Sequence, residues 1–257
     1  MSTFETFSQL HRNSTPLLLG NIWDVNSARI FEANGYSAIG TSSQAVAKSL
    51  GQEDGEKIPF EILLQLAKRV VEMVRIPLSV DMEGGYSRTI EGIIGNIDQL
   101  HNVGVAGINL EDTLPADSRQ LQSVAGFQKT LSAIAGHISR NNYKMFLNIR
   151  TDAFLLGMPA PAALSETLTR IDGYKNSGAD GIFVPCITDR NDIKQVVKAT
   201  LLPINVMCMP GLPDFEELGS LGVKRVSMGP FFFNKACANI GELAKTVRND
   251  RNFSSIL

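Results

Sequence analysis

Short apolar runs alternate with longer amphipathic stretches along the whole chain. The runs Leu17–Asn21, Ala38–Ser42, Leu78–Asp81, Gly107–Glu111, Met145–Arg150, Gly181–Pro185, Ile204–Cys208 and Arg225–Met228 are brief and rich in Val, Ile, Leu and Met. That composition predicts parallel strands buried on both faces. Between them the apolar period changes to that of a helix. Phe60, Leu63, Leu64, Ala67, Val70, Val71 and Val74 form one stripe at i, i+3, i+4, i+7. The same pattern recurs in Ile90, Ile93, Ile94, Ile97 and Leu100, and in Leu164, Leu168, Ile171 and Tyr174. Eight strand–helix units follow from the count, and eight is the number that closes a TIM-type (β/α)8 barrel.

A degenerate internal repeat supports this count. Asn34-Gly35-Tyr36-Ser37-Ala38-Ile39, Val103-Gly104-Val105-Ala106-Gly107-Ile108, Ser177-Gly178-Ala179-Asp180-Gly181-Ile182 and Leu221-Gly222-Val223-Lys224-Arg225-Val226 share one plan. Each puts a glycine at a helix C-terminus, where a left-handed residue is needed, and then enters a strand. They precede the second, fourth, sixth and eighth strands. Pro16, Pro77 and Pro203 mark the approach to the first, third and seventh. A doubly wound open sheet is the structural rival, but no glycine-rich phosphate turn follows the first strand. No linker or low-complexity segment divides the chain, so residues 1–257 are expected to form one barrel domain.

Composition narrows the function classes. The chain has 257 residues, 44% hydrophobic and 19% charged, and 24 basic residues against 26 acidic ones give a net charge of −2. This balance offers no strong attraction to nucleic acid or to an anionic membrane surface. No stretch approaches the roughly 20 apolar residues of a membrane span, and the polar start Met1–Leu10 does not read as a secretory signal. Cys186, Cys208 and Cys237 lie far apart and are odd in number, which predicts free thiols and a cytoplasmic enzyme.

In a (β/α)8 barrel the active site forms at the C-terminal ends of the strands. Those ends read Asn21-Ile22-Trp23-Asp24, Thr41-Ser42-Ser43, Asp81-Met82-Glu83, Glu111-Asp112 and Arg150-Thr151-Asp152 in turn. Acids thus converge from the third, fourth and fifth strands with one arginine beside them. Crowded carboxylates need a compensating cation, and an all-oxygen set without histidine suits Mg²⁺, with Mn²⁺ as the alternative. Asp81, Glu83 and Glu111 are the expected metal ligands. Asp24 and Asp112 are as readily explained as helix caps. Arg150 can form a structural ion pair with Asp152 or Glu111. It can also grip a substrate carboxylate or stabilise enolate charge. His11, His101 and His137 fall away from the strand ends. Lys144 and Lys224 lie at the N-terminal side of their strands, which disfavours Schiff-base chemistry.

The ordered set Asn21-Ile22-Trp23-Asp24-Val25-Asn26-Ser27-Ala28-Arg29, Gly40-Thr41-Ser42-Ser43, Asp81-Met82-Glu83-Gly84-Gly85-Tyr86, Asn109-Leu110-Glu111-Asp112 and Asn148-Ile149-Arg150-Thr151-Asp152-Ala153-Phe154 resembles the isocitrate lyase/phosphoenolpyruvate mutase superfamily. The resemblance implies an (α/β)8 barrel, usually tetrameric, with a C-terminal helix exchanged between subunits. It implies an enzyme that cleaves or forms C–C or P–C bonds next to a small 2-oxo or 2-hydroxy acid held on Mg²⁺. By the same resemblance, Asp81 is the direct metal ligand, and Glu83 and Glu111 hold the metal, often through its waters. Arg150 steadies the oxyanion or enolate. Ser42, Ser43 and Gln44 hold the acidic end of the substrate, and Asp54 stands near the mouth.

One departure limits what the resemblance carries. Isocitrate and methylisocitrate lyases share a Lys-x-Cys-Gly-His motif on the loop after the fourth strand. Here that loop reads Thr113-Leu114-Pro115-Ala116-Asp117-Ser118-Arg119-Gln120. It also lacks the Lys-Thr-Asn-Ser-like run of the mutase branch, although Asp117-Ser118-Arg119 can supply a polar lid over residues 113–121. The expected function is therefore a Mg²⁺-dependent C–C lyase with a substrate other than isocitrate. The alternatives are phosphonate chemistry (phosphoenolpyruvate mutase or phosphonopyruvate hydrolase) at the same site, or a non-catalytic metabolite-binding barrel. Phe231-Phe232-Phe233 is read as the buried start of the last helix, with 246–257 as interface material for a dimer or tetramer.

Overall fold

A computed structural model of the chain describes residues 2–114 and 119–257. Among these, eight parallel strands close into a barrel: β1 (Leu17–Ile22), β2 (Ile39–Thr41), β3 (Leu78–Asp81), β4 (Gly107–Glu111), β5 (Phe146–Arg150), β6 (Gly181–Val184), β7 (Ile204–Met207) and β8 (Arg225–Ser227). Each pairs with its sequence neighbours, and β1 closes on β8 through the register Leu17 to Arg225 and Leu19 to Ser227. The main helices between strands are α2 (Val25–Ala33), α4 (Phe60–Met73), α5 (Ile90–Asn102), α6 (Val124–Arg140), α7 (Ala160–Tyr174), α8 (Arg190–Lys198) and α9 (Phe215–Leu221). A short α3 (Ser43–Ser49) directly follows β2, α1 (Thr3–Leu10) precedes the barrel, and α10 (Phe231–Asp250) ends it. The family-type barrel expected from the alternating pattern is thus present, with strand boundaries shifted by one residue or so.

The boundaries follow from local chemistry. Gly35, Gly104, Gly178 and Gly222 all have φ between +80° and +102°, the left-handed geometry that ends a helix at least cost without a Cβ. At Gly178 a Cβ would also lie 2.1 Å from that of Ala135. Before β5 the same turn is made by Asn142 at φ 57°, so the glycine pattern misses it. Helix stripes bury against the sheet: Phe60, Leu63, Ala67 and Val70 from α4, and Ile93, Ile97 and Leu100 from α5. In α7 the most buried positions are Ala163, Thr167, Arg170, Ile171 and Tyr174, while Leu164 and Leu168 pack only partly. The N-terminal end of the barrel is plugged by Phe7 of α1, fully buried among Leu17, Leu19, Ala38, Ala106 and Phe146.

Two elements differ from expectation. The loop after β4 carries a two-stranded antiparallel hairpin, Thr113–Leu114 with Gln120–Leu121. Of the expected lid, residues 115–118 (with Asp117 and Ser118) lie outside the described residues. Phe231 and Phe232 do begin α10, but they are 37% and 45% exposed rather than buried. Ring contacts of Phe232 with Phe31 and of Phe233 with Trp23 tether the start of the helix, and no residue of α10 is buried within this chain. Among the described residues no helix is long and apolar enough to cross a membrane.

Candidate active site

The strand ends deliver their side chains to one mouth. Asp81 ends β3, its backbone N–H donating to Thr41 Oγ1 of β2 at 2.8 Å. Glu111 ends β4 and Arg150 ends β5, directly opposite each other in register. All three are buried. A cavity of about 330 Å³ opens over them, lined on its polar side by Asn21, Ser42, Ser43, Gln44, Asp54, Asp81, Arg119 and Arg150. Its apolar side is Leu155, Leu156, Phe183, Pro185 and Met207. The size suits a small metabolite. A larger hollow of about 890 Å³ lies under the opposite, N-terminal end beside α1. Its lining includes Asp180 and the buried His11, but His11 is bonded to the Phe7 carbonyl and Asp180 to the Leu147 N–H. The charged Glu5 and Arg12 are exposed, so its ionisable groups do not converge as the acids of the mouth do.

Arg150 is fixed by two hydrogen bonds and one further ion pair. Its Nε and Nη2 donate to the two oxygens of Asp152 at 2.6 and 3.1 Å, and Nη1 stands 3.1 Å from Glu111 Oε2. A guanidinium has five N–H donors; Asp152 takes two of them, which leaves three on a side chain that lines the cavity. Although burial opposes its charge, the surrounding Asp152, Glu111 and Asp81 raise its pKa well above the ordinary value, and it stays a cation. The ion pair expected with Asp152 or Glu111 is made with both.

The acids are not equivalent. Asp81 faces the cavity, and burial raises its pKa while Arg150 opposes the rise. Glu83 does not line the cavity: it accepts the Glu56 backbone N–H at 3.0 Å and the Tyr86 hydroxyl at 3.1 Å. It sits at φ 49°, a strained geometry for a residue with a Cβ. Burial first, then the charges of Asp54, Asp81 and Glu111, push its pKa up to about 8. Glu111 also lies outside the lining, bonded to Arg119 at 3.0 Å and to the Thr113 hydroxyl at 2.8 Å. Burial raises its pKa, with Arg150 opposing. Asp54 places Oδ2 2.8 Å from Arg119 Nη2, and its Oδ1 is buried without a hydrogen-bond partner among the described residues.

Ser42 caps α3 through the Ala45 N–H at 3.3 Å, while Ser43 lines the cavity together with Asp81. Asp24 caps α2 at the Ser27 N–H. Asp112, fully buried, is bound by Arg170 and by the Tyr174 hydroxyl; both acids are accounted for structurally. Sequence reasoning did not foresee that Arg119 reaches into the acid cluster. The signal available was a lone basic residue in an otherwise uncharged or acidic loop. It also did not foresee the polar interior, where Asn148 donates to Asn109 and Asn205. These asparagines sit at alternate strand positions.

Donor chemistry tests the fit for a metal. Asp81 and Asp54 are carboxylates lining one cavity, Asp54 Oδ1 has no partner among the described residues, and the described lining contains no histidine or cysteine. Among the described residues no three His, Cys, Asp or Glu side chains are already gathered as a ligand set. One or two carboxylates with waters completing the shell is the usual Mg²⁺ arrangement, whereas zinc favours a closed N/S set. The residues fit a hard divalent ion.

The chain matches the phosphoenolpyruvate phosphomutase family model over residues 7–248. It is 34% identical to an uncharacterized protein of Mycobacterium tuberculosis over 87% of this chain and 81% of that one. An oxaloacetate decarboxylase of Bradyrhizobium sp. is 30% identical over 80% of this chain and 70% of the relative. A solved Burkholderia cenocepacia J2315 protein, provisionally named a phosphonomutase, superposes with a TM-score of 0.89 at 34% identity, covering 95% of this chain and 99% of that one. The chain is a member of the phosphoenolpyruvate phosphomutase family.

Proposed function

We propose that the chain is a divalent-metal-dependent carbon–carbon lyase acting on a small 2-oxo acid, with oxaloacetate as the substrate to test first. The observation that carries this reading is Arg150, held by Asp152 and paired with Glu111, with N–H donors to spare beside a cavity whose other polar wall is acidic. The relatives named oxaloacetate decarboxylase support the substrate class. Asp81 would hold the metal, Mg²⁺ or Mn²⁺, with Asp54 beside it and Glu83 and Glu111 nearby to bind its waters. When bound, the metal supplies Lewis-acid polarisation of the 2-oxo group. Ser43 and Gln44 position the substrate carboxylate. As the C–C bond to the departing carboxylate breaks, its electron pair moves into the enolate, and the fixed Arg150 N–H groups stabilise the oxygen on which charge develops. The apolar wall of Leu155, Leu156 and Phe183 excludes water from that oxygen. The missing Lys-x-Cys-Gly-His motif fits a reaction whose substrate is not isocitrate.

The similarity to the Burkholderia protein supports phosphonate chemistry at the same site as the second reading. Product release from a panel of oxaloacetate, other 2-oxo and 2-hydroxy acids and phosphonopyruvate, with and without EDTA, separates the two. Metal-dependent pyruvate release from oxaloacetate is expected; release from phosphonopyruvate alone would move the enzyme to the phosphonate branch. We also propose that α10 packs on a second copy of the chain, as the family resemblance implies. Phe232, Ala236, Ile240, Leu243 and Val247 share one face of it, and Ile240 is 66% exposed.

A further inference from the structure

Among the described residues the mouth holds five carboxylates, Asp54, Asp81, Glu83, Glu111 and Asp152, against two guanidiniums, Arg119 and Arg150. Arg150 is part of the wall. Arg119 is different: it comes from the loop after β4, its side chain is 20% exposed, and its guanidinium lies among acids from three separate segments. Nη1 is 3.0 and 3.2 Å from the two Glu111 oxygens and 3.5 Å from Asp152, and Nη2 is 2.8 Å from Asp54. These contacts are charge-assisted and directed at oxygens that a hard divalent cation, or its bound waters, would also take. They also explain why no ligand set stands assembled among the described residues: both oxygens of Glu111 and one of Asp54 are turned to the arginine. A dication and a guanidinium cannot share those oxygens at close range without strong mutual repulsion.

We propose that Arg119 is the resident counter-cation of the metal-free site and that divalent metal binds by displacing it from Asp54 and Glu111. Arg119 therefore sets the affinity for metal: the ion must replace the arginine's hydrogen bonds, and the released guanidinium becomes an additional anchor for an anionic ligand beside the metal. This inference rests on the metal-site reading above. The test is a Mn²⁺ titration followed by electron paramagnetic resonance on the full chain without substrate, comparing wild type, Arg119→Gln and Asp81→Asn. Arg119→Gln keeps a hydrogen-bonding side chain and removes the charge. It is expected to bind Mn²⁺ about tenfold more tightly than wild type, whereas Asp81→Asn loses binding. Wild-type affinity or weaker binding in Arg119→Gln, with wild type still binding, overturns the displacement alone. Absence of Mn²⁺ binding in both overturns the metal site and the displacement together. Circular dichroism melting of Arg119→Gln confirms that the folded protein is being compared, and Arg119→Lys, which restores charge without the fork, is expected to return affinity toward wild type.

Discussion

Arg150 shows how a residue can be structural and functional at once. Its hydrogen bonds to Asp152 and its ion pair with Glu111 hold it in place, and the same contacts orient its remaining donors. Replacing it with Gln should leave Asp152 and Glu111, both buried, with Arg119 as their one cationic neighbour among the described residues, costing about 3 kcal/mol in stability. The turnover number should fall about 10²–10³-fold. Thermal melts and steady-state kinetics on the folded fraction check both. Glu83 gives a pH prediction for the metal-free protein. Its folded pKa of about 8 lies above its ordinary value of 4.5, so the folded state binds more protons than the unfolded one between those limits. Stability from this group is therefore present at low pH and lost as pH rises toward 8. The melting temperature in EDTA should fall between pH 6 and 8.5, and Glu83→Gln should flatten that slope; an unchanged slope contradicts the assignment. The strand-end acids were legible in the sequence because (β/α)8 geometry says where to look. Their division of labour was not, since whether Glu83 faces the cavity or Tyr86 depends on a positive φ that no spacing reveals.

At the scale of elements, the barrel was legible because its signals are local. Apolar runs of four to six residues, helix stripes and the four C-terminal glycines each report backbone preference or burial within a few positions. Asn142 escaped notice because asparagine only sometimes takes the left-handed turn. The polar barrel interior was obscured for a related reason: Asn21, Asn109, Asn148 and Asn205 are separated by apolar residues that face the helices, so the runs looked uniformly buried. The short helix α1 is the element whose removal should matter most for closure. Its Phe7 fills the barrel floor against Leu19 and Phe146. Phe7→Ala should destabilise the fold by about 3–5 kcal/mol while leaving activity per folded molecule intact at low temperature, because the floor is remote from the mouth. Denaturant titration together with kinetics tests this, and a loss of activity without a loss of stability would contradict it.

The whole molecule places a rigid barrel under a small acidic mouth and leaves one long helix uncovered. A helix with no buried residue gains little within its own chain, and its exposed apolar face predicts assembly. Light scattering should give an oligomer for wild type, and replacing both Ile240 and Leu243 with Glu should shift it to smaller species. The most direct test of the central claim is pyruvate release from oxaloacetate by wild type and Asp81→Ala, each with Mg²⁺ and with EDTA. The account predicts Mg²⁺-dependent release by wild type, abolished by EDTA and reduced more than about a hundredfold in a folded Asp81→Ala. Equal release by Asp81→Ala, or release that EDTA leaves unchanged, would contradict it.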